Sequence, residues 1–432
     1  MMTYQEALDY LDAHANYDKT GRIESPTLDR MRALVTAMGD PQLAYPVVHV
    51  TGTNGKGSTT QMITRLLMAH GLTVGAYTSP HLERLNERMS VNCEPITDDD
   101  FADQIAAVAD LEIITGVRPS YFEAVTAAAY RWFADVAVDV AVVEVGLLGR
   151  WDATNVCESQ VAVITNIGID HTEFAGPTLA DIAREKSGII KPASAVVIGE
   201  TKADLVTIFT SAGGASALVR GEDFDVLEQQ LALGGRLMDL RTPTTIYPAV
   251  FVPLHGRHQA DNAIVALTAV ETFFAAPVHS DIVSEGFAEV LMPGRFEVMG
   301  HQPLVIIDGA HNPTGADSCA TVFFEDFDPA GRRLLVVGCL KGRNPRDMLS
   351  ALRADEFDRV ITCTAPTPRG LPAEEITAAA RAMGCDDVVQ TDSVERAIDH
   401  ARSHAMAEDA ILITGSLYIV GSARPYLRKV IN

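Results

Sequence analysis

A chain of 432 residues has room for two or three domains, and 47% apolar with 21% charged residues is ordinary for a soluble globular protein. Its formal net charge of −23 disfavours nucleic acid and anionic membrane surfaces as partners, so an anionic substrate would need basic groups gathered locally. The six cysteines form no CxxC pair, Met1 to Asp18 lacks the apolar core of a signal peptide, and Val136–Leu148 is too short to span a bilayer; a reducing, cytoplasmic setting is expected.

Helical periodicity covers Tyr4–His14 and Leu28–Met38. The apolar run Val47–Thr51 then enters the loop Gly52-Thr53-Asn54-Gly55-Lys56-Gly57-Ser58, and an amphipathic helix follows over Thr59–His70. A buried strand, a glycine loop with one lysine and a helix N-terminus together make a phosphate cradle. Only seven of the 34 basic residues are lysines, which makes Lys56 a conspicuous choice here. The spacing is not that of the standard P-loop: two residues separate Gly52 from Gly55, and Gly57 stands where a Mg²⁺-binding hydroxyl is expected. Either the metal is absent or its ligands come from elsewhere. A tight turn with a solvent lysine is the plainer alternative.

Further strands are expected at Thr73–Tyr77, Val138–Val143, Val161–Thr165 and Ala195–Ile198, with helices at Asp98–Asp110 and Phe122–Phe133. Residues 215–252 read as a small antiparallel addition, and a helix follows from about Gln259 to Phe274. Met292–Phe296 and Gly300–Pro303 read as a linker. A second α/β pattern starts after it, with strands at Leu304–Asp308, Leu334–Gly338, Arg359–Cys363 and Ala410–Thr414. The expected fold class is α/β: an N-terminal P-loop-type ATPase domain (1–297) with a mainly parallel sheet, and a C-terminal Rossmann-like domain (298–432).

In such sheets ligands bind at the carboxyl ends of strands, so the polar residues there carry the argument. Glu144 leaves a buried strand just before a glycine loop, which suits a Mg²⁺ ligand or a carboxylate satisfied by loop amides. Asp170 and His171 leave the next strand, where the histidine is a metal ligand or a helix cap. Ser79 offers the hydroxyl that Gly57 lacks, or makes a Ser-Pro turn. Lys186 closes a helix ahead of Gly188, where most lysines merely snorkel or pair. Asp308-Gly309-Ala310-His311 repeats the strand-exit pattern in the second half.

Taken in order, these motifs resemble the Mur-ligase superfamily and, within it, the folylpolyglutamate synthase/dihydrofolate synthase family. The resemblance runs from Val50–Ser58 through Thr78–Leu82, Asn86-Glu87-Arg88, Glu144-Val145-Gly146, Asp152–Asn155, Asp170-His171-Thr172, Arg184–Ile190, His258-Gln259 with Asn262, Pro293–Glu297 and Asp308–Pro313 to Gly415–Tyr418. It implies an ATP-dependent amide ligase that forms an acyl phosphate on a pteroate or folate carboxylate, joins L-glutamate to it, and releases ADP and phosphate. It implies that Thr53, Asn54, Gly55, Lys56, Gly57 and Ser58 hold the triphosphate, with Asn262, Arg295, Asp308 and His311 as further ATP contacts. Ser79 and Glu144 would bind one Mg²⁺ and Glu144 with His171 a second. Lys186 resembles a lysine that is carbamylated in the family. Lys56, Glu144, His171 and Lys186 would be the catalytic set. The pterin side would be Ser120, Tyr121, Phe122 and Glu123 with Trp151, Asp152 and Ala153. The resemblance implies small-molecule partners only, no nucleic acid or membrane, and a monomer.

Three departures stand out. Leu148 replaces a usual glycine, Trp151 a usual leucine, and Leu340-Lys341-Gly342-Arg343-Asn344 a usual Lys-Asp-Lys-Asp run that helps position the amino acid. The Asp18–Pro26 stretch is also longer than the family norm. Two other readings remain at this point: a Mur-type ligase with another carboxylate or amino acid, and an ATP-binding regulatory protein without turnover.

Overall fold

The chain is described here by a computed structural model covering residues 2–16, 20, 26–170 and 172–431. It divides into two compact units, Met1–Pro253 with His258–Val290, and Leu254–Arg257 with Leu291–Asn432. Each is a mixed α/β unit with a mainly parallel sheet.

In the first unit the strands are β1 (Val47–Thr51), β2 (Val74–Tyr77), β3 (Met89–Val91), β4 (Glu94–Pro95), β5 (Val140–Glu144), β6 (Ser159–Ile164), β7 (Ala195–Ile198) and β8 (Ser216–Val219). They lie in the order β4-β3-β2-β5-β1-β6-β7-β8, parallel from β2 through β8, with β3 and β4 antiparallel at the edge. Every residue of β1 and β5 is buried, as expected for strands covered by helices on both faces. Helix Lys56–Ala69 buries Met62, Ile63, Leu66 and Leu67, and packs against helices His258–Phe274 and Ser280–Ala288. Val47, Ala141 and Val143 join Tyr130, Phe133 and Phe101 in one core, and Ile164, Ile198 and Phe209 anchor another.

Residues 215–252 are not one antiparallel addition. β8 extends the parallel sheet beside β7, and only β9 (Asp225–Ala232), β10 (Gly235–Arg241) and β11 (Ile246–Val252) form a separate antiparallel sheet.

The second unit holds β12 (Glu297–His301), β13 (Leu304–Ile307), β14 (Arg333–Val337), β15 (Arg359–Thr362), β16 (Val388–Gln390) and β17 (Ala410–Thr414), in the order β12-β13-β17-β14-β15-β16. Only β12 runs antiparallel, as the partner of β13. Gly300–Pro303, read as linker, is therefore the end and turn of a hairpin. Glycine and proline punctuate both structures alike.

Among the described residues no helix is long and apolar enough to cross a membrane.

Candidate functional site

β1 lies between β5 and β6, so the loop that follows it opens at the point where strand order reverses. Two glycines make that loop possible. Gly52 has φ +152°, and a Cβ there would come within 1.8 Å of the Thr165 hydroxyl. Gly55 has φ +81°, and its Cβ would meet the Asn262 amide oxygen at 2.3 Å. Asn262, expected to contact the nucleotide, thus lies against the loop. Gly55 is the N-cap of helix Lys56–Ala69 and has no side chain to cover the first-turn amides, which leaves them to an anion. Asn54, Gly55, Lys56 and Gly57 are half-buried and accessible, whereas Thr53 and Ser58 are buried.

The exit of β6 forms the loop's second wall. The Thr53 amide donates to the Asn166 carbonyl (2.9 Å), the Asn54 amide to the Asn166 side chain (3.0 Å), and the Thr165 hydroxyl to the Asn54 carbonyl (2.6 Å). The sequence alone does not single out Thr165 and Asn166. A polar Thr-Asn pair leaving a buried strand was the available signal.

Two lysines meet beneath this loop. Lys56 Nζ donates to the carbonyls of Gly52 (3.2 Å) and Thr53 (3.3 Å), and Lys186 Nζ donates to Gly52 (2.7 Å). Lys186 is only 3% exposed. Burial first, and the Lys56 charge second, hold its pKa well below the usual lysine range, against the opposite pull of Asp170 and Asp152.

Glu144 ends β5, with β1 on one side and β2 on the other. It is 4% exposed, and the Ser79 amide donates to its Oε2 at 3.2 Å. The sheet therefore brings Ser79, Glu144 and the glycine loop to adjacent strand ends. Arg88, almost fully buried, donates through Nε to His81 Nδ1 (3.0 Å) and rests over the Tyr121 ring, bracing the turn after Ser79. His171, and the stretch 18–26 except Thr20 and Pro26, lie outside the described residues. Among those described, no three His, Cys, Asp or Glu residues form a metal cluster.

The segment after Glu144 folds back on itself. The Phe122 ring lies against Gly146, where a Cβ would come within 2.4 Å of it. Leu148 adopts φ +61°, the left-handed region that a glycine would enter freely. Its carbonyl accepts the Thr51 hydroxyl at 2.6 Å. The buried Asp152 carboxylate accepts the amides of Leu147 (2.7 Å) and Thr154 (3.0 Å). Burial raises its pKa while these hydrogen bonds pull the other way. Asp152 caps a short 3-10 turn that starts at the buried Ala153. Trp151, in contrast, is 49% exposed.

Ser120 and Glu123 form a capping box on helix Tyr121–Asp135, and Glu123 also accepts Arg30 Nε at 3.0 Å. Their side chains are engaged in helix structure. Phe122 and Trp151 are thus the members of the expected pterin set with aromatic faces near or at the surface of this segment.

In the second unit, Asp308 follows β13 and accepts the amides of Phe296 (2.9 Å) and Ala310 (2.8 Å). Arg295 lies beside Gly309, where a Cβ would meet its guanidinium at 2.9 Å. His311 Nδ1 is 3.0 Å from the Gly309 carbonyl. Arg295, Asp308 and His311 therefore gather at one strand exit. After β14, the Lys341 amide donates to the Arg369 carbonyl (2.7 Å), and Leu340 bridges to Gly370. This sets Lys341 and Arg369 side by side past the carboxyl ends of β14 and β15, with Arg343 two residues further along the chain.

The Mur ligase middle domain family matches residues 126–270, and the Mur ligase glutamate ligase domain matches 294–417. The chain is 38% identical to the dihydrofolate synthase/folylpolyglutamate synthase of Mycobacterium tuberculosis, over 92% of this chain and 89% of that protein. The M. tuberculosis folylpolyglutamate synthase solved with ADP superposes with a TM-score of 0.92 at 37% identity, covering 98% of each chain. The Escherichia coli FolC structure with DHPP and ADP gives 0.88 at 28% identity, covering 100% of this chain and 99% of that one.

Proposed function

The chain belongs to the dihydrofolate synthase/folylpolyglutamate synthase family of Mur-type ligases, and from that premise we propose how its residues carry out an ADP-forming ligation of L-glutamate to a pteroate or folate carboxylate. The observation that carries the proposal is the convergence, at adjacent strand ends of one sheet, of the uncapped glycine loop, two lysines, Glu144 and Ser79.

The triphosphate is assigned to Thr53, Asn54, Gly55, Lys56, Gly57 and Ser58, with Asn262 closing the loop from one side. Backbone amides of the first helical turn take the phosphate oxygens, and Lys56 exchanges its carbonyl contacts for phosphate. The substrate carboxylate attacks the γ-phosphorus, ADP leaves, and an acyl phosphate remains. The glutamate amine then attacks the acyl carbon, losing a proton as phosphate departs. Carboxylate and polyphosphate repel one another, so positive charge at the loop is what allows their approach.

The Ser79 hydroxyl and Glu144 carboxylate are hard oxygen donors, and so small a protein set suits Mg²⁺, which keeps waters and phosphate oxygens as its other ligands. Bound there, Mg²⁺ would neutralise phosphate charge. His171 is proposed from the family as a ligand for a second ion. Arg295, Asp308 and His311 are proposed nucleotide contacts of the second unit on the same ground.

Lys186 is proposed to be carbamylated. Its depressed pKa favours the neutral amine, the form that adds CO₂ to give a carbamate and one proton. The heterocycle is assigned to Phe122 and the exposed Trp151, each with a flat face to offer. Lys341, Arg343 and Arg369 suit an amino acid with a second carboxylate, which favours glutamate. The proposal includes a cytoplasmic monomer.

The test is release of ADP and phosphate by the purified protein, with 7,8-dihydropteroate or tetrahydrofolate, ATP and L-glutamate. Turnover that requires both organic substrates is expected. Absence of turnover with either pterin overturns the proposal.

A further inference from the structure

β1 does more than lead into the glycine loop. In a strand, residues two apart share a face, so His49 and Thr51 point the same way. Both reach the segment after Glu144. Thr51 donates its hydroxyl to the Leu148 carbonyl. His49 Nε2 lies 2.9 Å from Thr154 Oγ1, and that hydroxyl donates to Asp152 Oδ1 at 2.5 Å.

The Thr154 proton is committed to the Asp152 carboxylate, so the hydroxyl oxygen must accept from His49. His49 therefore carries its proton on Nε2 and accepts at Nδ1, where the Cys157 thiol sits at 3.7 Å. Full burial, with the Lys191 charge adding, pushes the His49 pKa down to about 3, so the imidazole is neutral throughout the physiological range. Asp152 then accepts the Leu147 amide with its other oxygen. The chain thus runs from the middle of β1 to the backbone immediately before Leu148.

Leu148 is the reason such support is required. A leucine at φ +61° pays a steric cost that glycine would not, and such a conformation persists only where its surroundings hold it. Here Thr51 holds its carbonyl from one side, and the His49–Thr154–Asp152 chain holds the preceding amide from the other. The strand that presents the nucleotide loop also sets the shape of the Gly146–Ala153 segment.

We infer that His49 and Thr51 are positioning residues for the carboxylate substrate, holding the Leu148 kink that presents Trp151. The inference rests on the ligase reading of that segment. One strand thus leads into the ATP loop at its end and holds the pterin-side loop along its face.

The experiment measures KM for 7,8-dihydropteroate and for ATP in parallel, on the full-length enzyme, with a thermal melt for each variant. His49→Leu removes the donor, while His49→Gln can place an amide N–H near the same position. Thr154→Val breaks the next link, and Thr154→Ser keeps it. Dihydropteroate KM is expected to rise on the order of tenfold or more in the Leu and Val variants, with ATP KM within about twofold of the parent and recovery in the Gln and Ser variants. If His49→Leu does not fold, the Thr154 pair gives the same comparison. Unchanged dihydropteroate KM, or an equal rise in both constants, overturns the inference. A parent enzyme inactive with every pterin would instead overturn the ligase reading.

Discussion

Lys56 and Lys186 donate to one shared acceptor, the Gly52 carbonyl, at 3.2 and 2.7 Å. Two ammonium groups converging there would repel, and the buried Lys186 is the one that gives way, its pKa driven down by burial and then by Lys56. Between that depressed value and the ordinary lysine value, the folded chain binds fewer protons than the unfolded one. This group's contribution to stability therefore rises with pH through the window and falls as pH drops. Carbamylation follows the same sign, since it consumes the neutral amine and releases a proton. Activity is expected to decline on dialysis into CO₂-free buffer at acid pH and to recover with bicarbonate at higher pH. A carbonyl signal from ¹³C-bicarbonate, present in the parent and absent in Lys186→Ala, reads the modification directly. Turnover of Lys186→Ala is expected to fall by orders of magnitude, and near-parent turnover would remove this lysine from the chemistry.

Glu144 is the acidic end of a fully buried strand, and its contact with the Ser79 amide fixes the carboxylate at the loop. Glu144→Gln keeps the shape and removes the charge. Its kcat is expected to drop at least about a hundredfold with the fold intact, and the Mg²⁺ concentration for half-maximal rate to rise. Turnover near that of the parent, at ordinary Mg²⁺, would show that this acid is not part of the metal site.

These two sites were legible in the sequence because their signals are local. A buried run, a glycine pair and a lysine specify the cradle over a dozen residues, and an acid at a strand exit names itself. Asn166 and Thr165 were not legible, because their bonds to Thr53 and Asn54 depend on β1 and β6 being neighbours. β12 was hidden because its glycine and the turn after it look like a linker. Ser120 and Glu123 show the opposite case. Their Ser-x-x-Glu spacing is a local capping signal, yet the family resemblance drew attention to substrate instead. Leucine carries no mark of the left-handed region, so the conformation of Leu148 had to come from the fold.

That conformation makes an unusual stability order. Leu148→Ala loses buried side chain and keeps the positive φ, whereas Leu148→Gly loses slightly more side chain and sheds the steric cost of about 1–2 kcal/mol. The additional methyl removed is worth about 0.8 kcal/mol. The glycine variant is therefore expected to melt at a higher temperature than the alanine variant. The reverse order by thermal denaturation would mean that the backbone at 148 is not held in the left-handed region.

The altered run at 340–344 bears on the amino acid. Its pairing with the 365–371 turn sets Lys341 beside Arg369 past the carboxyl ends of β14 and β15, and Arg343 follows two residues later. A guanidinium that binds a carboxylate of glutamate contributes nothing to the glycine loop, so the two substrates should separate in a mutant. Arg343→Ala is expected to raise KM for L-glutamate about tenfold or more, since a charge-assisted bond is worth about 1.5–3 kcal/mol, while ATP KM stays near the parent value. Arg343→Lys keeps the charge but loses the planar fork, and an intermediate KM is expected. If both variants bind glutamate as the parent does, recognition of the amino acid lies elsewhere in the second unit. A screen of aspartate, glutamine and γ-glutamylglutamate would then show which carboxylate the remaining site reads.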